Sequence, residues 1–281
     1  MSLVSIVKGE NPVEMTIKAL EMAEAHKVLS SEKPVLIKPN YINAKHPSTG
    51  ITTDSRVIEG VVKFLKQHKA KEIIVGEGSG FADTFEAFKV AGIDSLAEKW
   101  NIKLVDLNED EFVEVCPPNP LALKKVKIAK TALESTIISV PKLKLHRITG
   151  VTLSLKNMMG AMTPKGSMHM HLNKNIADLA SILKPSIAVI DGIIAGEGHE
   201  TSGNPVKMDI VIAGTDPVAV DAVGAAVMGV SPTTVKHLRL AERKGLGTCD
   251  LNQIKVLGEP IEKVKRKFRK SILSGFLSHF G

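Results

Sequence analysis

Short apolar runs alternate along this chain with stretches whose apolar residues recur every three to four positions. That alternation predicts strands interleaved with amphipathic helices. Asn11-Pro12 opens the first helix, with Asn11 as cap, Pro12 in the first turn, and Val13, Ile17 and Leu20 facing inward. Pro34–Lys38 reads as a buried strand. Asp54 caps the next helix, which carries Val57, Val61, Phe64 and Leu65 on its inner face. Glu72–Val75 and Ile102–Val105 are strands, and Ala82–Val90 is a helix with Phe81, Phe85 and Phe88 as core. This β-α-β-α-β order favours parallel pairing, because parallel strands need a crossover between them.

The second half is less regular. Pro117, Pro118 and Pro120 mark a loop, and Val126–Ile128 and Thr136–Val140 read as strands. Asn175–Leu183 is a helix capped by Asn175, with Asp178 three residues on and Pro185 at its end. Ile187–Ile190 and Ile210–Ala213 are strands. Asp216–Met228 and Thr233–Lys244 are helices, each stopped by the glycine that follows. The expected class is α/β, with a mostly parallel sheet and helices on both faces. Residues 1–260 form one domain or two closely packed lobes. Residues 261–281 form a basic amphipathic helix, with Val264, Phe268, Ile272 and Phe276 at four-residue spacing. That helix docks on the body or on a second subunit, or meets a membrane surface or partner. A homo-oligomer is therefore left open.

Composition narrows the function classes. The formal charge is +7, yet the chain has one Trp and one Tyr, so it lacks stacking platforms and nucleic acid is an unfavoured partner. Its two cysteines, Cys116 and Cys249, form no CxxC pair, and so sparse a use of cysteine fits a reducing cytoplasm. No apolar run approaches the ~18 residues a membrane helix needs, and Met1–Gly9 is too short and polar for a signal peptide. Glutamine appears only at Gln67 and Gln253 beside many Lys and Glu, a bias seen in proteins from hot environments.

Several signatures, taken in order, carry a resemblance. They are Ile37-Lys38-Pro39-Asn40, Gly50-Ile51-Thr52-Thr53-Asp54 and the run from Pro141 to His146. They continue with the run from Thr152 to Gly160, Asp191-Gly192-Ile193, and the run from Gly214 to Ala222. Together they span Val35 to Gly247, and the chain resembles the family catalogued as domain of unknown function 362. The resemblance implies no assigned reaction. Many members carry an added ferredoxin-like segment with clustered cysteines. This chain lacks it, so a link to electron transfer would come through an iron–sulfur redox partner. The opening region is also similar, at the level of fold, to the first domain of lactate racemase, which holds a nickel-pincer cofactor through Lys and His. The attachment motif is not evident here, and no cofactor is assigned.

The residues themselves suggest chemistry. If the strand ending at Val140 persists, Lys142, Lys144 and His146 share one face. Such a face suits an anionic carboxylate or phosphate, or is a solvated basic edge. Lys156, beside Asn157, sits in an apolar run; buried, it would be a proton-transfer or Schiff-base lysine, or be paired with a structural carboxylate. Met168-His169-Met170-His171 offers two imidazoles on one side of an extended segment, for a transition metal or for acid–base work. The loop from Thr163 to Ser167 could close over a ligand. Asp191 ends a buried strand, where acids and bases gather, or bonds its own turn. Asp221 lies in a helix apolar nearly all round and needs a partner, Lys156 or Lys142. It orients a catalytic lysine or locks two elements together. Lys38 and Asn40 follow a strand, and Thr53 precedes a helix start able to hold an anion. Gly76-Glu77-Gly78-Ser79-Gly80 lacks the dinucleotide spacing, and no Walker or GxSxG motif is present.

Two function classes result. The first is an enzyme on a small anionic metabolite, using Lys156, His146, Asp191 and Asp221 for catalysis. Lys38, Asn40, Thr53, Lys142, Lys144 and Asn157 would bind its substrate. The second is an accessory protein that handles a cofactor, metal or electrons, with His169 and His171 as metal ligands.

Overall fold

The apolar runs become strands of one ten-stranded sheet in the computed structural model, which describes residues 1–30 and 32–271. The strands before the midpoint are β1 (Ser2–Lys8), β2 (Val35–Pro39), β3 (Ile73–Glu77), β4 (Lys103–Asp106), β5 (Phe112–Val115) and β6 (Val126–Ala129). Then come β7 (Thr136–Val140), β8 (Lys142–His146), β9 (Gly150–Val151), β10 (Met162–Thr163), β11 (Ile187–Glu197), β12 (Asn204–Gly214) and β13 (Ile254–Gly258). The main sheet runs β13-β1-β12-β11-β7-β2-β3-β4, with β8 and β9 branching from β11, and β10-β6-β5 form a small separate sheet. From β11 to β4 every pair is parallel. The antiparallel part is β11-β12-β1, where β12 brings the chain back along β11.

Period-two alternation divides the sheet between two cores. Val35, Ile37, Ile138, Val140, Ile187 and Val189 face one cluster, while Leu36, Ile137, Ala188 and Ile190 face the other. The first face is covered by α1 (Pro12–Met22), α2 (Ser55–Gln67), α3 (Thr84–Ala91) and α4 (Ile93–Trp100). After α5 (Lys130–Glu134) come α6 (Leu153–Asn157), α7 (Leu172–Ala180), α8 (Pro217–Val227) and α9 (Lys236–Arg243), which cover the second, and then α10 (Ile261–Val264). The expected mostly parallel α/β sheet, with helices on both faces, is what the chain forms.

The caps follow the sequence. Asn11 accepts N–H bonds from Val13 and Glu14, Asp54 from Arg56, and Asp216 from Val218 and Ala219.

Other expectations give way to packing. The inner face of α1 is Met15, Thr16, Ala19 and Leu20, with Val13 and Ile17 only half-buried. Phe88 is core, but Phe81 and Phe85 are exposed, because α3 begins at Thr84 and turns them to solvent. Helix α7 starts at Leu172 rather than at Asn175, whose amide instead donates to the Met168 carbonyl. Asp178 receives the backbone N–H groups of Leu121, Ala122 and Leu123 and the amine of Lys244, so it anchors the proline-rich loop.

The strands β1 and β13 were not expected. The helix expected over 261–281 is helical over Ile261–Val264. The chain then turns extended at Lys265 and bridges to Gly198 through Lys270; residues 272–281 lie outside the described residues. Among the described residues no helix is long and apolar enough to cross a membrane.

Candidate functional site

Strand order reverses at β2. The chain leaves β2 toward β3 and β4, then returns to its other side as β7. Parallel sheets open a crevice beyond the carboxyl ends of strands at such a point. A cavity of about 390 Å³ lies there, lined by Lys38 and Asn40 after β2, Glu77 and Gly78 after β3, and Lys144 and His146 of β8. Helix α6 adds Lys156 and Asn157.

Beneath the cavity is a sealed polar layer. Lys142 Nζ donates to Asp191 Oδ2 at 2.6 Å, with both side chains 0% exposed. Asp191 also accepts the N–H groups of Asp54 at 2.7 Å and Ile193 at 2.9 Å. Burial pushes its carboxyl up, while Lys142 holds it against that rise. Thr53 Oγ1 donates to the Val140 carbonyl and accepts Asn40 N–H, both at 2.8 Å. Lys38 binds Glu77 Oε1 and the Pro39 carbonyl, and burial lowers its ammonium. Asn157 stitches α6 to the sheet: its amide donates to Lys38 O at 3.0 Å and Ser139 Oγ at 3.1 Å, and its carbonyl accepts from Lys38 and Asn40 at 3.2 Å.

The rest of the cavity wall is cationic and poorly paired. Among the described residues Lys144 Nζ donates to the Ile51 carbonyl alone, at 2.9 Å, and burial beside Lys156 and Lys142 lowers its ammonium to about 7. Lys165 binds the neutral amide of Asn108. Lys156 Nζ meets no hydrogen-bond or ion-pair partner among the described residues, and burial lowers its ammonium to about 8. Arg147 Nε lies 3.1 Å from Glu200 Oε1. His146 Nδ1 accepts N–H bonds from Ile148 and Thr149, both at 3.2 Å, so the neutral ring carries its proton on Nε2, 3.7 Å from Glu200 Oε1. Burial, with Lys156 and Lys144 nearby, keeps that ring neutral, its pKa well below the usual histidine value. Five cationic side chains therefore line the cavity against two carboxylates, Glu77 and Glu200. That surplus favours an anion.

Helix α6 is held from outside. Asp221 of α8 accepts the N–H groups of Ser154 at 2.8 Å and Leu155 at 2.9 Å, and burial pushes its carboxyl up to about 8. Its partner is thus a helix N-terminus, not the expected Lys156 or Lys142. A carboxylate from another helix caps this short one, whose first residue, Leu153, sits at φ 38.

Of the residues expected from sequence, Lys38, Asn40, Lys144, His146, Lys156, Asn157 and His169 meet at the cavity. Lys142, Thr53, Asp191 and Asp221 lie behind it, each tied to backbone or to a buried partner. His171 does not line the cavity, and the His169–His171 segment is a 3-10 helix rather than extended, so the two rings are not set side by side by strand alternation. Among the described residues, the three side chains close enough to share a metal are Glu21, His26 and His68, at the far ends of α1 and α2.

Sequence reasoning passed over Glu200 and Lys165 as site residues, and His237. Glu200 closes the Gly-Glu-Gly-His-Glu run beyond β11, and Lys165 sits in the loop expected to close over a ligand. His237 is fully buried with Nε2 unpartnered, and burial, with Lys156 adding to it, drives its pKa to about 3. Glu197, at the end of β11, receives Arg269 through N–H at 2.9 Å and Nε at 2.6 Å, and so fastens the C-terminal segment.

The fold and site define an α/β protein with a cation-lined crevice at the switch point of its sheet. Residues 35–226 match the family described as "Domain of unknown function (DUF362)", and the chain belongs to that family. It is similar to the thylakoid-associated protein sll1697 of Synechocystis sp., at 24% identity over 241 residues, 82% of this chain and 74% of the relative. No solved structure matches it.

Proposed function

We propose that this protein is an enzyme that binds a small carboxylate- or phosphate-bearing metabolite in the cavity and acts on it by acid–base chemistry. The observation that carries the reading is Lys156, a cavity cation that makes no ion pair or hydrogen bond among the described residues and is reached by the Glu200 charge only from a distance. A buried charge without a counterion is costly, and an anionic ligand removes that cost. Lys144, Lys156 and Lys165 clamp the anion, and His146 Nε2–H donates to it. The ammonium of Lys156, softened by burial, gives up or takes a proton near neutral pH. Lys38, Asn40 and Asn157 form the floor, while Lys142, Asp191, Thr53 and Asp221 hold the walls.

A second reading is an accessory role beside an iron–sulfur redox partner, favoured by the thylakoid association of the relative. The two cysteines, both unpaired, keep a cytoplasmic setting as our reading of this chain. Calorimetric titration with oxalate and inorganic phosphate tests the metabolite reading. Saturable binding that weakens tenfold or more in Lys156→Ala supports it, and equal, weak binding by both proteins removes it.

A further inference from the structure

The lysines in and beneath the cavity are pinned with one exception. Lys38 meets Glu77, Lys142 meets Asp191, Lys144 meets the Ile51 carbonyl and Lys165 meets Asn108. Lys156 makes no hydrogen bond or ion pair among the described residues, yet the backbone that carries it is held at both ends of its helix. Asp221 caps the helix that carries it, and Asn157, the next residue, makes four hydrogen bonds to Lys38, Asn40 and Ser139. A firmly held backbone under an uncommitted amine leaves that amine able to do more than join Lys144 and Lys165 in holding an anion. Such a placement serves a nucleophile well.

The geometry points to Lys156 as a nucleophile that attacks the carbonyl carbon of a small oxo-carboxylate and forms an imine with it. This rests on the anion-pocket reading given above. The neutral amine donates its lone pair to the carbonyl carbon, and the carbonyl π electrons move to oxygen. That oxygen takes a proton, giving a carbinolamine. Its hydroxyl then leaves as water after a second protonation, and the nitrogen loses its remaining protons in balance. Amine and carbonyl become imine and water, with no oxidant or reductant.

The surrounding groups fit each demand. Among the described residues no carboxylate reaches ion-pair distance of the amine, and the more distant Glu200 offsets only part of the burial. Lys144 and Arg147, on the same wall, take the substrate carboxylate and direct the ligand's charged end. His146, with Nδ1 fixed as acceptor, presents Nε2–H to the departing hydroxyl and can take the proton back. The softened ammonium of Lys156 leaves a neutral fraction at working pH.

The test incubates the full chain with glyoxylate, pyruvate or 2-oxoglutarate, adds borohydride, and reads intact mass and then peptides. Oxalate, which has the two carboxylates but no ketone or aldehyde carbon, is titrated in parallel without reductant. The expected adduct has the mass of the oxo acid less one oxygen and sits on Lys156. Lys156→Arg loses the adduct and still binds oxalate. Adduct yield rises from pH 6 to pH 8, while oxalate affinity falls over the same range. Oxalate binding without an adduct at Lys156, or adducts spread evenly over surface lysines, overturns the covalent step and leaves the anion pocket standing. Failure of both oxalate and the oxo acids to bind overturns the two together.

Discussion

Lys142 and Lys156 come from neighbouring stretches of chain, the first fully buried and the second half-buried, and they sit in opposite electrostatic settings. Lys142 is on β8, points into the protein and is neutralised by Asp191, which two backbone N–H groups satisfy further. Lys156 is on α6, lines the cavity and makes no hydrogen bond or ion pair among the described residues, with Glu200 the carboxylate whose charge reaches it from a distance. One is a finished structural pair; the other is unfinished, and on the proposed reading a ligand completes it. Buried charges are retained where they are paired or used.

Breaking the finished pair should have the largest effect. Asp191→Ala leaves the Lys142 ammonium and the N–H groups of Asp54 and Ile193 without an acceptor. A loss of about 3–5 kcal/mol is expected, the range for removing one partner of a buried ion pair. Chemical denaturation measures it, and a loss below about 1 kcal/mol would show that water reaches the pair. Next comes Asp221→Ala, which uncaps α6 and strands two N–H groups. It should cost about 2 kcal/mol and also weaken oxalate binding, because Lys156 rides on that helix. Loss of stability with unchanged oxalate affinity would separate the cap from the site.

The same contrast explains what the sequence disclosed. The period-two face Lys142-x-Lys144-x-His146 was legible, because strand geometry alone sets it. So was the burial of Asp221, which interrupts an apolar run, whereas the sequence left the burial of Lys156 open and the structure leaves that residue half-buried. Their partners were not legible. A buried carboxylate invites a cation on paper, but Asp221 found the N-terminus of a five-residue helix that begins at a positive φ, a turn no periodicity encodes. Asp191 was read as a strand-end acid, and its pairing with Lys142 depends on the parallel register of β8 and β11, set across 49 residues. The strand β1 escaped notice because Ser2 and Ser5 break its apolar run, and because its partner β12 lies at the far end of the sequence. Glu200 lies in a turn, and Lys165 opens a 3-10 helix, Lys165–His171, where an open loop was expected over Thr163 to Ser167; tertiary closure decides what each faces.

Lys156→Ala should leave stability unchanged or raise it by up to about 1 kcal/mol, the opposite sign to Asp191→Ala, while oxalate affinity falls roughly tenfold or more. A destabilisation of the kind seen for a paired lysine would mean that Lys156 is already neutralised, and the comparison would collapse.

The finest test is the pH dependence of that difference. The Lys156 ammonium titrates at about 8 in the folded chain against 10.5 for the free group. Between those values the unfolded chain holds a proton that the folded chain has released, so stability rises with pH across the window. Below about 8 both states are protonated and the full cost of the buried charge is present. The advantage of Lys156→Met over the parent should therefore be greatest at pH 7 and shrink steadily toward pH 10. Lys144 is lowered to about 7 in part by Lys156, so Lys156→Met also eases that repulsion and adds to its advantage at low pH. Asp221, raised to about 8, acts in the opposite sense as pH rises from the ordinary carboxylate range, and it is common to both. Saturating oxalate should supply the missing counterion, lift the folded titration toward the free value and flatten the difference. If denaturation midpoints of the two proteins run parallel from pH 7 to pH 10 without oxalate, Lys156 is solvated like any surface lysine, and its isolation beside the sealed pair has no energetic content.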